Sequence, residues 1–310
     1  MCYHIHENKG DFLMKKAIIL VGVPGSGKST YGKSQKIPYF SSDMVRLELF
    51  KTLKANHAPE DDQKVFARLH ELVFNYGESL IYDATNLDRK KRIFLYNEFK
   101  QRGFYVELHL VLEPKALALF QNKRRETERV VPDFVIKDMY RGMMPPKIGM
   151  DCDDYKIISQ SSFLNEDVNF NEFILYLKSH SVIDTVKRFV SAAYLPEILK
   201  LEGEVEILSK IESTLNKSKS LDLILVAFFH QLGKGATKIN KFMGYSLVSS
   251  MYAFRFFNEI KGLPSNLNKE YIIDTIMYHS NFETLNEEIL TQQKIDSNLI
   301  NFMKEFKSLS

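Results

Sequence analysis

Apolar positions follow two rhythms along this 310-residue chain. In the first half, short unbroken apolar runs alternate with stretches in which apolar residues recur every three or four positions. Residues 17–23 read Ala-Ile-Ile-Leu-Val-Gly-Val, a continuous β-branched run of the kind that a strand covered on both faces needs. A helix is expected over 28–36 and a short strand over 38–41. A longer helix follows, with Val65, Leu69, Leu72, Val73 and Tyr76 near one face, ending at Gly77. A third strand is predicted over 80–83, a helix over 87–101 closed by Gly103, and a fourth strand over 104–112. Helices over 116–129 and from Val131-Pro132 through Met139 precede a last strand over 155–159. Strands separated by helices of this length imply βαβ units and a parallel sheet.

The rhythm changes near residue 160. Gln160 to Asp167 is polar and turn-rich, and a linker is expected over 161–178. Beyond it there is no strand alternation, and helical patterns run through 181–194, 221–231, 245–260 and 269–279. The expected organisation is an α/β domain over 14–160 followed by an all-α domain over 179–310.

Composition narrows the setting. Hydrophobic residues make up 45% and charged residues 26%, enough for sizeable cores. A net charge of +3 permits a nucleic-acid partner without requiring one. Cys2 and Cys152 fit no metal or redox spacing, which favours a reducing cytoplasm. No apolar run approaches the roughly 18 residues of a membrane span. Residues 1–13 lack a signal-peptide core and precede Met14-Lys15-Lys16, so they are read as an appendage whose His4 and His6 lie on a disordered tip.

The chemistry begins where the first strand ends. Gly22-Val23-Pro24-Gly25-Ser26-Gly27-Lys28-Ser29-Thr30 matches G-x-x-x-x-G-K-[ST] between a strand and a helix, the setting that makes a Walker A loop credible. Gly22, Gly25, Ser26 and Gly27 would wrap backbone N–H groups around the phosphates of ATP. Lys28 would reach the β- and γ-phosphates, Ser29 would hold Mg²⁺, and Thr30 would complete the loop. Asp43 and Arg46 follow the second strand three residues apart, on one helical face, with Ser41 or Ser42 as the cap. A carboxylate there can take the proton of an attacking hydroxyl, and an arginine can clamp a substrate phosphate; an ordinary surface ion pair is the plainer alternative. Asp83 ends the third strand at the Walker B position, where an Asp contacts Mg²⁺ or its water shell. Ala84 follows it, whereas NTP-driven motors usually carry a Glu there to activate water. Thr85 and Asn86 either contact substrate or cap the next helix. Arg89-Lys90-Lys91-Arg92 is either a solvated face or a phosphate contact. Arg125, with Arg129 and Arg124 behind it, is the candidate lid arginine over the triphosphate.

Taken together, these residues resemble the phage polynucleotide 5′-kinase family over roughly 14–160. The matching pieces are the Gly22 to Thr30 loop, Asp43 with Arg46, Asp83-Ala84-Thr85-Asn86-Leu87, the arginine lid followed by Val131-Pro132, and Pro145-Pro146-Lys147-Ile148-Gly149-Met150-Asp151. The resemblance implies a P-loop kinase fold, ATP and Mg²⁺ as cofactors, and nucleic-acid 5′ ends as partners. It also implies that Asp43 deprotonates a 5′-hydroxyl and that Arg46 contacts the neighbouring phosphate of the acceptor. The second half resembles a degenerate HD domain, similar to those of tRNA nucleotidyltransferases. His180-Ser181-Val182-Ile183-Asp184, Phe229-His230-Gln231, Gly244-Tyr245 and Tyr278-His279 carry that likeness, with Gln231 in place of the signature aspartate. His180, His230 and His279 would then either hold one transition metal or stand as hydrogen-bonded core histidines. The function so implied is ATP-dependent phosphorylation of a 5′-hydroxyl end of DNA or RNA. A kinase for a free nucleoside or another small alcohol is the first alternative, and a nucleotide-dependent switch or binding protein the second.

Overall fold

A computed structural model describes residues 14–53, 59–237, 244–282, 285 and 287–310. The appendage over 1–13, with Cys2, His4 and His6, lies outside the described residues. Strands β1 (Lys16–Val21), β2 (Tyr39–Ser41), β3 (Leu80–Asp83), β4 (Tyr105–Val111) and β5 (Asp154–Ile158) form one parallel sheet in the order β2-β3-β1-β4-β5. Helices α1 (Lys28–Ser34), α2 (Ser42–Phe50), α3 (Pro59–Phe74), α4 (Arg89–Gln101), α5 (Lys115–Lys123) and α6 (Asp133–Arg141) surround it. The first half is therefore a P-loop kinase-like α/β fold, and a helical region follows it.

The unbroken apolar run of β1 has the expected cause. Ala17, Ile19 and Val21 pack toward α3, α4 and α6, while Ile18 and Leu20 pack with Ile81 on the other face, where Tyr31, Ile37 and Tyr39 close over them. Register places Leu20 beside Asp83 and Asp83 beside Ser41. The carboxyl ends of β1, β2 and β3 therefore converge, and β1 is flanked by β3 on one side and β4 on the other. That is the switch point at which α/β sheets bind ligands.

The helical region contains α7 (Phe170–Ser179), α8 (Val182–Phe189), α9 (Leu195–Ile198), α10 (Val205–Lys217), α11 (Leu221–Phe229), α12 (Tyr245–Glu259), α13 (Lys269–Tyr278), α14 (Glu287–Gln292) and α15 (Ser297–Leu309). Every residue of α11 from Leu223 to Phe229 is buried, so it is the central helix of this half. The linker expected over 161–178 is not one. Phe163, Leu164, Val168, Phe170 and Phe173 belong to the helical core, and α7 is capped by Asn169, whose side chain accepts from the Asn171 N–H. The spacing Phe170, Phe173, Ile174, Leu177 is a buried helical stripe. The two halves also share a core, since Met251 and Phe254 of α12 pack into the apolar cluster over the sheet.

The basic run at the start of α4 is neither a solvated face nor a phosphate contact at its two arginines. Arg89 and Arg92 are fully buried, while Lys90 and Lys91 are exposed. Arg92 meets Asp151 at 2.8–2.9 Å and donates to the carbonyls of Asn86, Leu87, Met144 and Pro145 at 2.8–3.1 Å. Arg89 donates to the Pro145 carbonyl at 2.9 Å and lies 3.6 Å from Asp274 of α13, which also takes Lys147 at 2.7 Å. The Asp88 side chain caps α4 by accepting from Lys90 N–H, which offsets the cations against the helix dipole.

The histidines separate. His180 is exposed and stacks on Tyr176 with centroids 3.7 Å apart, whereas His230 and His279 face one another at 5.3 Å inside the helical half. His180 therefore does not join the other two, and among the described residues no group of three His, Cys, Asp or Glu is placed to hold a metal. Each inner histidine meets a backbone carbonyl through Nδ1, His230 at Ala227 and His279 at Ile276. Burial pushes His230 well below the usual histidine range and His279 to about 4.

Two expectations follow. Asp151→Asn leaves the Arg92 charge buried and uncompensated, and should cost about 3–5 kcal/mol in urea unfolding; a loss under ~1 kcal/mol would refute the pairing. As pH falls from 6.5 toward 4, the unfolded chain takes up protons that folded His279 refuses. His279 alone should lower stability by on the order of 3 kcal/mol across that window, and His230, also held well below the usual range, adds to the fall. His279→Gln should flatten the slope, and a slope unchanged by the substitution would count against the buried neutral histidine.

Candidate active site

The loop after β1 is shaped by its glycines. Gly25 and Gly27 adopt φ of +83° and +90°, a region that side chains disfavour. A Cβ on Gly25 would lie 2.3 Å from the Ala118 carbonyl of α5, and one on Gly22 would lie 2.5 Å from the Val111 carbonyl. Gly27 is different: a Cβ there would meet nothing within 4 Å, so the backbone faces open space. The Ser26 hydroxyl is buried with no hydrogen-bond partner, a polar atom that a phosphate oxygen would satisfy. Lys28 is 8% exposed, and its ammonium donates to the Val23 carbonyl at 3.0 Å. Burial lowers its pKa, Asp83 and Asp43 oppose that shift, and Arg125 and Arg129 add to it. Thr30 is exposed on α1. Together these residues fit a triphosphate.

Ser29 Oγ donates to Asp83 Oδ2 at 3.1 Å, and the Tyr39 hydroxyl donates to the same oxygen. A serine hydroxyl beside a carboxylate is an oxygen donor pair that suits Mg²⁺. The chemistry of the pair fits the expected metal contacts at Ser29 and Asp83. Tyr39 escaped the sequence reading because nothing local marks it; only the register of β2 on β3 brings it to Asp83.

Asp43 sits in the first turn of α2, whose cap is Ser41 accepting from the Met44 N–H at 3.1 Å. Arg129 donates to Asp43 Oδ2 at 2.8 Å, and Arg46 lies 3.7 Å from Oδ1. Arg46 is bound more closely by Asp62 of α3, at 2.6 Å, a partner the sequence did not suggest. Arg46 and Arg129 each keep a buried Nε without a hydrogen-bond partner. Arg125 is in the same field: burial lowers its pKa, Arg129 lowers it further, and Asp43 and Asp83 oppose the shift.

The helix expected over 116–129 is broken, and the break is what brings these arginines in. α5 ends at Lys123, and Thr127–Arg129 forms a separate 3-10 turn. Asn122, fully buried, donates to the Val131 carbonyl at 2.7 Å and accepts the Val131 N–H at 3.1 Å. This clamp closes residues 123–130 into a loop, directing Arg129 to Asp43.

Asn86, expected either to contact substrate or to cap the next helix, turns its amide to the sheet instead. It has φ of +48° and is 5% exposed, and its amide donates to the Leu20 carbonyl at 2.8 Å, tying the end of β3 to β1. Thr85 is half-buried, and its carbonyl accepts the Gly22 N–H at 3.1 Å, fixing the start of the phosphate loop.

A family model described as an AAA domain matches residues 18–146. Among solved structures, the chain is similar to one in the Pnkp1/Rnl/Hen1 RNA repair complex, at 19% identity and a TM-score of 0.37, covering 42% of this chain and 44% of that one. This chain thus spans less than half the length of that relative. A sugar kinase from Janibacter sp. matches at 15% identity and a TM-score of 0.35, covering 47% of this chain and 85% of that one. A protein from Chloroflexus aurantiacus matches at 15% identity and a TM-score of 0.37, covering 55% and 97%. No helix among the described residues is long and apolar enough to cross a membrane.

Asn122→Ala removes both ends of the clamp. Hydrogen exchange at the Val131 amide should accelerate strongly, with a stability loss of about 1–3 kcal/mol. Unchanged protection at Val131 would show that something else holds the loop.

Proposed function

We propose that the chain transfers the γ-phosphate of ATP to the 5′-hydroxyl of a nucleic-acid strand, DNA or RNA. The observation that carries this reading is the position of Asp43, in the electrostatic field of Lys28, Arg125 and Arg129 beside the phosphate loop. Phosphoryl transfer needs little covalent chemistry from a protein; it needs positioned charge and a base.

In this reading Arg129 leaves Asp43 for the triphosphate as ATP binds, which frees Oδ2 to accept a proton. The acceptor oxygen attacks the γ-phosphorus in line, the bond to the β-bridging oxygen breaks, and ADP departs while Asp43 holds the proton. Lys28, the loop amides and Arg125 stabilise the charge that develops on the transferred group. Mg²⁺, when bound by Ser29 and Asp83, supplies further neutralisation of the phosphates. Arg46 exchanges Asp62 for the acceptor's neighbouring phosphate, a pairing its unpartnered Nε supports. Ala84 in place of a water-activating Glu favours transfer over hydrolysis. The helical half is, in this reading, a scaffold with HD-like helices that positions the acceptor and lacks two-metal hydrolase chemistry.

Transfer of label from γ-labelled ATP to 5′-OH oligonucleotides, measured against a panel of nucleosides and sugars, tests the acceptor. Labelling of a small alcohol in preference to every oligonucleotide would refute the polynucleotide assignment. Asp43→Asn should abolish transfer while ATP affinity stays within about threefold, because the amide keeps the shape but cannot take a proton. Lys28→Ala should lose both. Near wild-type turnover in Asp43→Asn would remove Asp43 as the base.

A further inference from the structure

Tyr39 is the first residue of β2 and pairs with Ile81, two residues before Asp83 on the neighbouring strand. Side chains alternate across a strand, so Tyr39, Ile81 and Asp83 share one face of the sheet. The half-buried Tyr39 ring lies over that face with Ile18, Leu20 and Ile81, and Tyr31 and Ile37 pack beside it. Glycine weakens a helix, yet Gly32 stands inside α1 where the ring passes. A Cβ at Gly32 would lie 2.7 Å from Tyr39 Cε2 and 2.9 Å from Leu20 Cδ1. The ring is thus seated between α1 and the sheet, with its hydroxyl at the end that faces Asp83.

Packing explains a ring here but not a hydroxyl. A phenylalanine would fill the same space. What the phenol adds is a donor, and it goes to Asp83 Oδ2, which also accepts from Ser29 Oγ at 3.1 Å. Asp83 is 4% exposed, so little water competes for that oxygen. A carboxylate oxygen has two lone pairs and can hold both donors at once. The two donors come from different elements, Ser29 from α1 and Tyr39 from β2. Together they fix the plane of the carboxylate and the direction of the Ser29 hydroxyl, the two groups whose chemistry suits Mg²⁺. A phenol is protonated at neutral pH, so Tyr39 acts as a donor and not as an anionic ligand or a base.

We propose that Tyr39 is a positioning residue for the metal: its hydroxyl orients Asp83, and through it Ser29, so that Mg²⁺ strengthens nucleotide binding. This role rests on the reading of Ser29 and Asp83 as the Mg²⁺ pair, and is independent of which acceptor receives the phosphate. Groups that orient a metal ligand from behind typically matter about 10–100-fold in metal affinity. The loop amides and Lys28 would hold a nucleotide without help from Asp83. Loss of the hydroxyl should therefore spare metal-free binding and weaken only what the metal adds.

Calorimetric titration of the full chain with a non-hydrolysable ATP analogue, in excess Mg²⁺ and again in EDTA, measures the gain in affinity that the metal provides. Tyr39→Phe keeps the ring and should shrink that gain about tenfold, while affinity in EDTA stays within about twofold. Asp83→Asn should shrink the gain at least as much. Adding Tyr39→Phe to Asp83→Asn should then cost nothing further, because the hydroxyl acts through the carboxylate. A tyrosine that only packs would weaken binding equally with and without metal, and that result overturns the proposal. So does a full Mg²⁺ gain in Tyr39→Phe, or a second loss on top of Asp83→Asn. A wild-type chain with no Mg²⁺ gain removes the metal reading itself, and this role with it.

Discussion

One buried guanidinium holds the functional half together. Arg92 reaches the carbonyls of Asn86 and Leu87 after β3, those of Met144 and Pro145 after α6, and the Asp151 carboxylate before β5. Desolvating an arginine is costly, and burial does lower its pKa, but a carboxylate and four carbonyls offset that cost. The result is geometric. The segment that leads out of Asp83 is fixed to the segment that follows α6, so that carboxylate and the arginine loop are referred to the same point. Arg89, one turn earlier, extends the network through Asp274 to Lys147 and so to α13.

The site built on this frame carries more positive than negative charge. Lys28, Arg125 and Arg129 share one field with Asp43 and Asp83, and burial with mutual repulsion depresses Lys28 and Arg125. A cluster of cations in a partly desolvated cleft is stable only if an anion completes it. The Arg129–Asp43 bridge is the internal answer when no phosphate is present. It also has a chemical consequence: the contact that neutralises Arg129 occupies Asp43 Oδ2, the oxygen a base would use. In the proposed reaction, nucleotide binding and base release would be one exchange of ion pairs, carried by a loop whose ends Asn122 pins together.

Local rules made the phosphate loop, the sheet and the placing of Asp43 legible, because a strand, a glycine turn and a capped helix each fit within ten residues or so. What the sequence hid was non-local. Arg89 and Arg92 look like a solvated basic run until their partners, some 50 to 200 residues away, are known. Asn86 looks like a polar contact but bonds back across the sheet to Leu20. The stripe from Phe170 to Leu177 had helical spacing, yet the polar residues before it suggested a linker; burial against α11 and α12 decides otherwise. Asn122 reads as one more helical residue, and only Val131 reveals it as the point where the helix stops.

The absence of a free linker changes how the helical half must be understood. Met251 and Phe254 complete the core over the sheet, Tyr155 of β5 packs on Phe254 with ring centroids 5.2 Å apart, and Arg89 depends on Asp274 for its counter-charge. An α/β half without α12 and α13 would expose apolar surface and leave a buried cation without its carboxylate, both strongly unfavourable. The helices therefore form part of the structural shell of the phosphate site. Val23 of the phosphate loop lines a cavity between the halves beside Glu113, and Arg89 joins Asp274 to the Pro145 carbonyl that Arg92 also holds, so the contacts between the halves touch elements of the site. The two halves share a core and a buried charge network.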